Sequence, residues 1–263
     1  MGAMPNIEIE GLKLHYNSIE APSPKGPGVL FVHGTACNGS LWERPMKVLA
    51  AAGHECVAID LPGHGQSSGY GFRGVVDHAH FVARLAEHLG WRHYVLAGHS
   101  LGGGVALAVA LYDGNPLAGL LLIDTGARLR VGPGILQSAR DVADGVSRPR
   151  SDSRFGFAAA TSDSVLAEIA ALRANEDPAV TYRDWLADDS CDFMSRLRHI
   201  AVPTLAICGQ EDPLTPIKYH EYFRDHIPDC RLEVIPGAGH WPQFEQPEAF
   251  DRAVSRFVSE RGS

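Results

Sequence analysis

The stretch Tyr94-Val95-Leu96-Ala97-Gly98-His99-Ser100-Leu101-Gly102-Gly103 decides how this chain is read. Four apolar residues run into Gly98-His99-Ser100-Leu101-Gly102, and a small, apolar helical pattern covers 103–112. Strand, sharp turn and helix follow one another, with a serine at the apex. A turn of this kind strains the backbone of its central residue. Glycines two before and two after the serine keep side chains out of the place where strand and helix cross. The hydroxyl then stands clear of the backbone beside a helix N-terminus, whose free N–H groups favour an anion. Such a hydroxyl is equipped to act as a nucleophile.

Working outward, short apolar runs at 29–33, 56–59, 94–97, 120–123, 204–208 and 232–235 read as fully buried strands. Residues 7–17 alternate apolar and polar around Gly11, which predicts a hairpin at a sheet edge. Helical patterns fall at 41–52, 75–89, 103–112, 217–226 and 246–260. This alternation predicts an α/β fold, a parallel sheet with helices on both faces. It breaks once, from 128 to 199, where the signals are helical. Asp177-Pro178 reads as an N-cap followed by a first-turn proline, and Ser162-Asp163-Ser164 precedes apolar positions 165, 166, 169 and 172. About seventy residues exceed an ordinary crossover. The organisation expected is a core of 1–127 and 200–263 with a helical cap, 128–199, inserted between two strands.

Composition bounds the partners. With 263 residues and 45% hydrophobic content, the chain can bury a core that needs no disulfide or metal. A net charge of −8 argues against a nucleic-acid partner, which would want a basic face. Five widely spaced cysteines, Cys37, Cys56, Cys191, Cys208 and Cys230, with no C-x-x-C, read as reduced thiols in a cytoplasmic protein. Cys208 reads as a small buried hydrophobe, and Cys37 as a bystander near the site. Residues 1–4 lack the basic region and apolar core of a signal peptide and read as a remnant of cloning before Met4. No apolar run has the length of a membrane span.

A nucleophilic serine needs a base, an acid that orients the base, and donors for the oxyanion. His240 is the candidate base, because Gly237-Ala238-Gly239-His240-Trp241-Pro242 follows a strand and its glycines let the loop aim the ring. Asp212, in Gly209-Gln210-Glu211-Asp212-Pro213 after the 204–208 strand, is the leading acid. Thr215 is better placed than Asp212 to cap the next helix, which leaves Asp212 free. Asp124, at the end of 120–123, is the rival acid, since α/β sheets place their sites at strand C-terminal ends; Glu211 is a weaker one. The expected oxyanion donors are the N–H groups of Leu101 and of Thr35, the latter after His33-Gly34. The Thr35 hydroxyl is a further donor, to the oxyanion or within its loop. His78-Ala79-His80 lies on a helix pattern without a following Asp-His pair and reads as a solvated face, so no metal and no cofactor is expected.

Four blocks in order carry a resemblance: His33-Gly34; Asp60-Leu61-Pro62-Gly63-His64-Gly65-Gln66-Ser67; 98–103; and the Asp212 and His240 loops. Together they resemble the α/β-hydrolase fold superfamily over nearly the whole chain. The resemblance implies an eight-stranded, mostly parallel sheet with its second strand antiparallel, a helical cap over the site, and a structural turn at 60–67, so that His64 is not catalytic. It also implies serine hydrolysis of a small carboxylic ester or lactone through an acyl-enzyme. Candidate pocket residues are Leu129, Ile135, Phe155, Phe157, Trp185 and Phe193 from the cap, with Trp241 beside the base. Each is read against the alternative of a plain core side chain. Ser100 in place of an aspartate argues against haloalkane dehalogenases and epoxide hydrolases. The first alternative is an enol-lactone or carbon–carbon bond hydrolase of aromatic catabolism; Thr35-Ala36-Cys37-Asn38-Gly39, in place of a Gly-rich run with Pro, weakens the carbon–carbon case without removing it. A non-enzymatic receptor or scaffold on the same fold is the second alternative.

Overall fold

The apolar runs become strands because alternate side chains find a core on either face of one sheet. In the computed structural model, which describes residues 5–112, 114, 117–148 and 154–262, the strands are β1 (Asn6–Ile9), β2 (Leu12–Ile19), β3 (Gly28–Val32), β4 (Cys56–Ile59), β5 (Tyr94–His99), β6 (Gly119–Ile123), β7 (Thr204–Gly209) and β8 (Cys230–Ile235). They form one eight-stranded sheet in the order β1-β2-β4-β3-β5-β6-β7-β8. The pairings β1–β2 and β2–β4 are antiparallel and the other five are parallel, so β2 alone runs against the rest.

Nine helices flank the sheet or fill the insertion among the described residues: α1 (Glu43–Ala52), α2 (Val75–His88), α3 (Leu101–Tyr112), α4 (Pro133–Ala143), α5 (Asp163–Arg173), α6 (Pro178–Ser190), α7 (Ile217–His226), α8 (Pro242–Glu245) and α9 (Pro247–Ser259). Strand alternation divides the core in two. Leu30, Val32, Leu96 and Leu122 pack with Val82, Leu85, Val105 and Leu107 on the α2–α3 side. Val29, Phe31, Ala97 and Leu121 pack with Trp42, Met46, Phe250 and Phe257 on the α1–α9 side. The helix over 103–112 begins earlier than its pattern suggests, at Leu101, because the turn at Ser100 leads straight into it.

The long interval between β6 and β7 holds α4, α5 and α6. Local sequence sets the helix starts: Ser162 Oγ accepts from Val165 N–H, and Asp177 Oδ1 accepts from Ala179 N–H with Pro178 next. The insertion closes on itself at its base, where Leu129 N–H donates to Cys191 O and Phe193 N–H to Ala127 O. No described helix is long and apolar enough to cross a membrane. All five cysteines are free, and all but Cys230 are buried. The expectation for 1–4 falls outside the described residues.

Candidate active site

Ser100 has φ 52°, a left-handed conformation that costs a non-glycine residue roughly 1–2 kcal/mol. Its own backbone holds it there: Ser100 N–H donates to Ile123 O at 3.0 Å, while Ser100 O accepts from Gly103 N–H and Thr125 Oγ1. The flanking glycines have no room for a side chain. A Cβ on Gly98 would lie 2.0 Å from Gly102 O, and one on Gly102 would lie 2.4 Å from Val32 O. The half-buried Ser100 therefore sits at the C-terminal edge of β5, against the first turn of α3. Leu101 N–H is one of the amides that this helix leaves without an internal acceptor. Gly34 abuts the serine, its Cβ position 3.0 Å from Ser100 Cβ, so the loop that begins there runs past the hydroxyl.

His240 Nδ1 lies 2.8 Å from Asp212 Oδ2, with both side chains buried. The loops that carry them touch directly, since a Cβ on Gly209 would fall 1.9 Å from Gly239 O. Asp212 Oδ1 accepts from Leu214 N–H at 2.7 Å and Thr215 N–H at 3.2 Å, and Oδ2 accepts also from Thr215 Oγ1 at 2.5 Å. Burial alone would raise the Asp212 carboxyl. His240 and these donors outweigh it and hold the group well below the ordinary carboxylate range. Thr215 does not cap α7 as its position suggested; that helix starts at Ile217 with Pro216 at its N-cap position and no side-chain cap, and the Thr215 hydroxyl serves Asp212 instead.

Asp124 reaches the same place from β6, at φ 40° and fully buried. Its Oδ1 accepts from Gly209 N–H at 2.8 Å. Ligand atoms of Asp124, Asp212 and His240 lie within 4.8 Å of one another. Burial, then the neighbouring Asp212 charge, pushes the Asp124 carboxyl well above its ordinary value. Two carboxyls side by side are thus pushed in opposite directions, Asp212 down and Asp124 up, with the lowered one on His240.

Three structural supports of the His240 loop were not foreseen. Glu245, on α8, accepts from Gly239 N–H and Trp241 N–H on either side of His240, and from Ala158 N–H and the Thr161 hydroxyl in the insertion. His240 N–H donates to Gly156 O at 2.6 Å. His99 Nε2 donates to His240 O at 2.7 Å, and burial followed by the nearby His240 lowers His99 to about 3, so it stays neutral. Glu245, three residues past Pro242, was readable only as a helix-end acid.

The aromatic candidates separate. Trp241 is buried against both the His99 and His240 rings, which also touch each other, and Phe157 stacks on it at 6.1 Å. Trp185 is half-buried on α6, as is Ile135 on α4. Leu129 and Phe193 are core side chains on the α2–α3 side, Leu129 near α3 at Gly104 and Phe193 against Tyr112, while Phe155 is 60% exposed. Cys37 is buried, which pushes its thiol up to about 12.

The loop after β3 is held from the insertion. Asp184 Oδ2 accepts from Ala36 N–H at 3.0 Å and pairs with His64 Nε2 at 2.9 Å; Asp188 Oδ2 accepts from the Thr35 hydroxyl at 2.8 Å. The Thr35 hydroxyl is thus committed to α6. His64, in the 60–67 turn, becomes a contact with α6. Burial lowers its pKa, but Asp184 more than restores it, to about 9. The His33 and His78 rings pack around it; burial lowers the first well below its ordinary value and the second to about 4. His78, expected on a solvated face, is fully buried and accepts from Phe72 N–H, while exposed His80 pairs with Glu10.

A pH dependence follows from His64. A histidine whose folded pKa is raised adds stability that is fully present below its unfolded value, near 6.5, and is lost as pH rises through about 9. Urea unfolding at pH 6.5 and 9.5 checks this. The wild type should lose about 3 kcal/mol more over that window than Asp184→Asn. Equal losses would mean that the pair is uncharged.

The relatives agree with this fold. Among curated proteins, a 2-hydroxy-6-oxononadienedioate/2-hydroxy-6-oxononatrienedioate hydrolase of Cupriavidus pinatubonensis is 26% identical, over 88% of this chain and 86% of its own. A non-heme haloperoxidase of Rhodococcus erythropolis is 30% identical, over 82% of this chain and 86% of its own. Among solved structures, a thermophilic esterase from Thermogutta terrifontis superimposes with a TM-score of 0.85 at 28% identity, covering 98% of this chain and 97% of that one. The family model described as alpha/beta hydrolase family matches residues 29–253, and with the eight-stranded sheet and the serine turn in place, this chain belongs to that hydrolase family.

Proposed function

We propose that the chain is a serine hydrolase that cleaves a small carboxylic ester or lactone through an acyl-enzyme. The observation that carries this reading is the strained Ser100 turn combined with the Asp212–His240 pair at the C-terminal edge of one sheet. Ionised Asp212 accepts a hydrogen bond from His240 Nδ1–H, which keeps the ring proton on Nδ1 and leaves the lone pair on Nε2. His240 Nε2 takes the Ser100 proton as Oγ attacks the carbonyl carbon. The oxyanion is met by Leu101 N–H and Thr35 N–H. Collapse expels the alcohol, protonated by His240, and leaves an ester on Ser100. Water, deprotonated by His240, then releases the acid and restores the hydroxyl. The helical insertion serves as a cap, with Trp241, Phe157 and Trp185 the aromatic side chains best placed to bound the acyl site. The esterase among the structural neighbours supports the ester reading.

The relatives named as 2-hydroxy-6-oxononadienedioate hydrolases support a second reading, in which the same serine acts on a ring-cleavage product of aromatic catabolism. A panel of p-nitrophenyl esters and lactones, run beside Ser100→Ala, separates the two. Serine-dependent turnover that falls with acyl length is expected. Absence of turnover while a fluorophosphonate still labels Ser100 would favour the second reading. Absence of both would leave a non-catalytic binding role.

A further inference from the structure

Asp184 and Asp188 lie one turn apart on α6, so both project from the same face of that helix. Val180 and Ala187 share the buried surface of the helix with them. Both carboxylates are buried, and both spend an oxygen on the two residues that follow Gly34: Asp188 Oδ2 on the Thr35 hydroxyl, Asp184 Oδ2 on Ala36 N–H. Ala36 itself sits at φ 54°, a conformation that alanine does not favour. The loop thus adopts an unfavourable backbone state at the position where α6 grips it. The same Asp184 Oδ2 also pairs with His64 Nε2, which ties it to the 60–67 turn. The second oxygens, Asp184 Oδ1 and Asp188 Oδ1, are buried without a hydrogen-bond partner among the described residues. Carboxylates serving packing alone are rarely left so.

We propose that Asp184 and Asp188 are positioning residues for the oxyanion site: they set the backbone of Thr35 and Ala36, so the loop reaches its working geometry only with α6 docked. The inference rests on the reading of Thr35 N–H as an oxyanion donor. Docking of the insertion and assembly of the oxyanion site are then one event, since the same two side chains perform both. A donor helps catalysis only when aimed at the place where charge develops, and small displacements are costly.

The test compares Asp188→Ala, Asp188→Asn and Thr35→Val with the wild type on p-nitrophenyl acetate. Asp188→Ala should lower kcat about tenfold to a hundredfold, with KM within about threefold, because the loss is felt in the transition state. Asp188→Asn keeps an oxygen that can accept from Thr35 and should recover most of kcat. Thr35→Val removes the same contact from the other side. Combined with Asp188→Ala, it should lower kcat no further than the worse single change. A trifluoromethyl ketone, which forms a tetrahedral oxyanion on serine, should weaken by the same factor as kcat/KM falls. Full kcat in a folded Asp188→Ala, or a loss confined to KM, overturns the proposal. Should Asp188→Ala not fold, Thr35→Val decides alone by the same criterion.

Amide hydrogen exchange at Ala36 tests the contact without any turnover. Protection present in the wild type and lost in Asp184→Ala supports the grip, and unchanged protection overturns it. Absence of serine-dependent turnover in the wild type would remove the ester reading while leaving this exchange result to stand on its own.

Discussion

Ser100→Ala lowers kcat by at least ~10⁴-fold, the largest single effect expected in this protein. The expectation comes from the backbone as much as from the hydroxyl. Alanine accepts φ 52° no less readily than serine, and the hydrogen bonds that hold the turn all use backbone atoms of residue 100. The variant should therefore keep its melting temperature and circular dichroism spectrum, and lose only the nucleophile. The two amide donors and the binding surface survive the change, so a small residual rate over water is expected. Serine-specific labelling by a fluorophosphonate disappears together with turnover. Turnover within about tenfold of wild type, in a preparation free of contaminating esterase, would place the nucleophile elsewhere and remove the acyl-enzyme from the mechanism.

The parts legible in the sequence were those encoded by neighbours in the chain. The β5 turn could be read because Gly98 and Gly102 are dictated by contacts within four residues and one adjacent strand, where a Cβ would strike backbone. The inner strands were legible because they are buried on both faces, so that β5 and β6 begin as unbroken apolar runs, while the edge strand β1 was legible by its alternation. What escaped were contacts between distant segments made by ordinary polar residues. Asp184 and Asp188 meet Ala36 and Thr35 across about 150 residues, and nothing local in either segment marks the encounter. The one usable signal was position: 180, 184, 187 and 188 form the buried stripe of α6, and two of those four are acids. An acid on a stripe that spacing assigns to the interior must have a partner. Thr215 shows the opposite failure, a residue with a good local role as a cap that tertiary structure assigned to Asp212 instead. His64 was set apart from the chemistry, and its glycine-rich setting concealed a contact with α6.

Asp212→Asn and Asp124→Asn should have effects that differ by orders of magnitude, although the two side chains converge on one place. The Asp212 oxygens accept from four groups: Leu214 N–H, Thr215 N–H, the Thr215 hydroxyl and His240 Nδ1–H. An asparagine has one acceptor oxygen. If that oxygen stays on the backbone amides, its NH2 faces His240 Nδ1. The ring then accepts at Nδ1 and carries its proton on Nε2, where it cannot receive one from Ser100. A fall in kcat of ~10⁴-fold is expected, with the fold intact. Burial and the charge on Asp212 push the Asp124 carboxyl up, toward its neutral form. Asparagine reproduces that neutral group, its oxygen still accepting from Gly209 N–H, so kcat should stay within a few-fold of wild type. Stability should move the other way. A carboxyl whose folded pKa is raised contributes stability present below its unfolded value, near 3.9, and lost as pH rises toward the folded value. Relative to wild type, Asp124→Asn should therefore gain stability as pH rises from 4 to 7, read by urea unfolding at the two pH values. A 10⁴-fold loss in Asp124→Asn with little loss in Asp212→Asn would move the acid from β7 to β6. Large losses in both would mean that the two carboxyls share one proton and orient His240 as a unit.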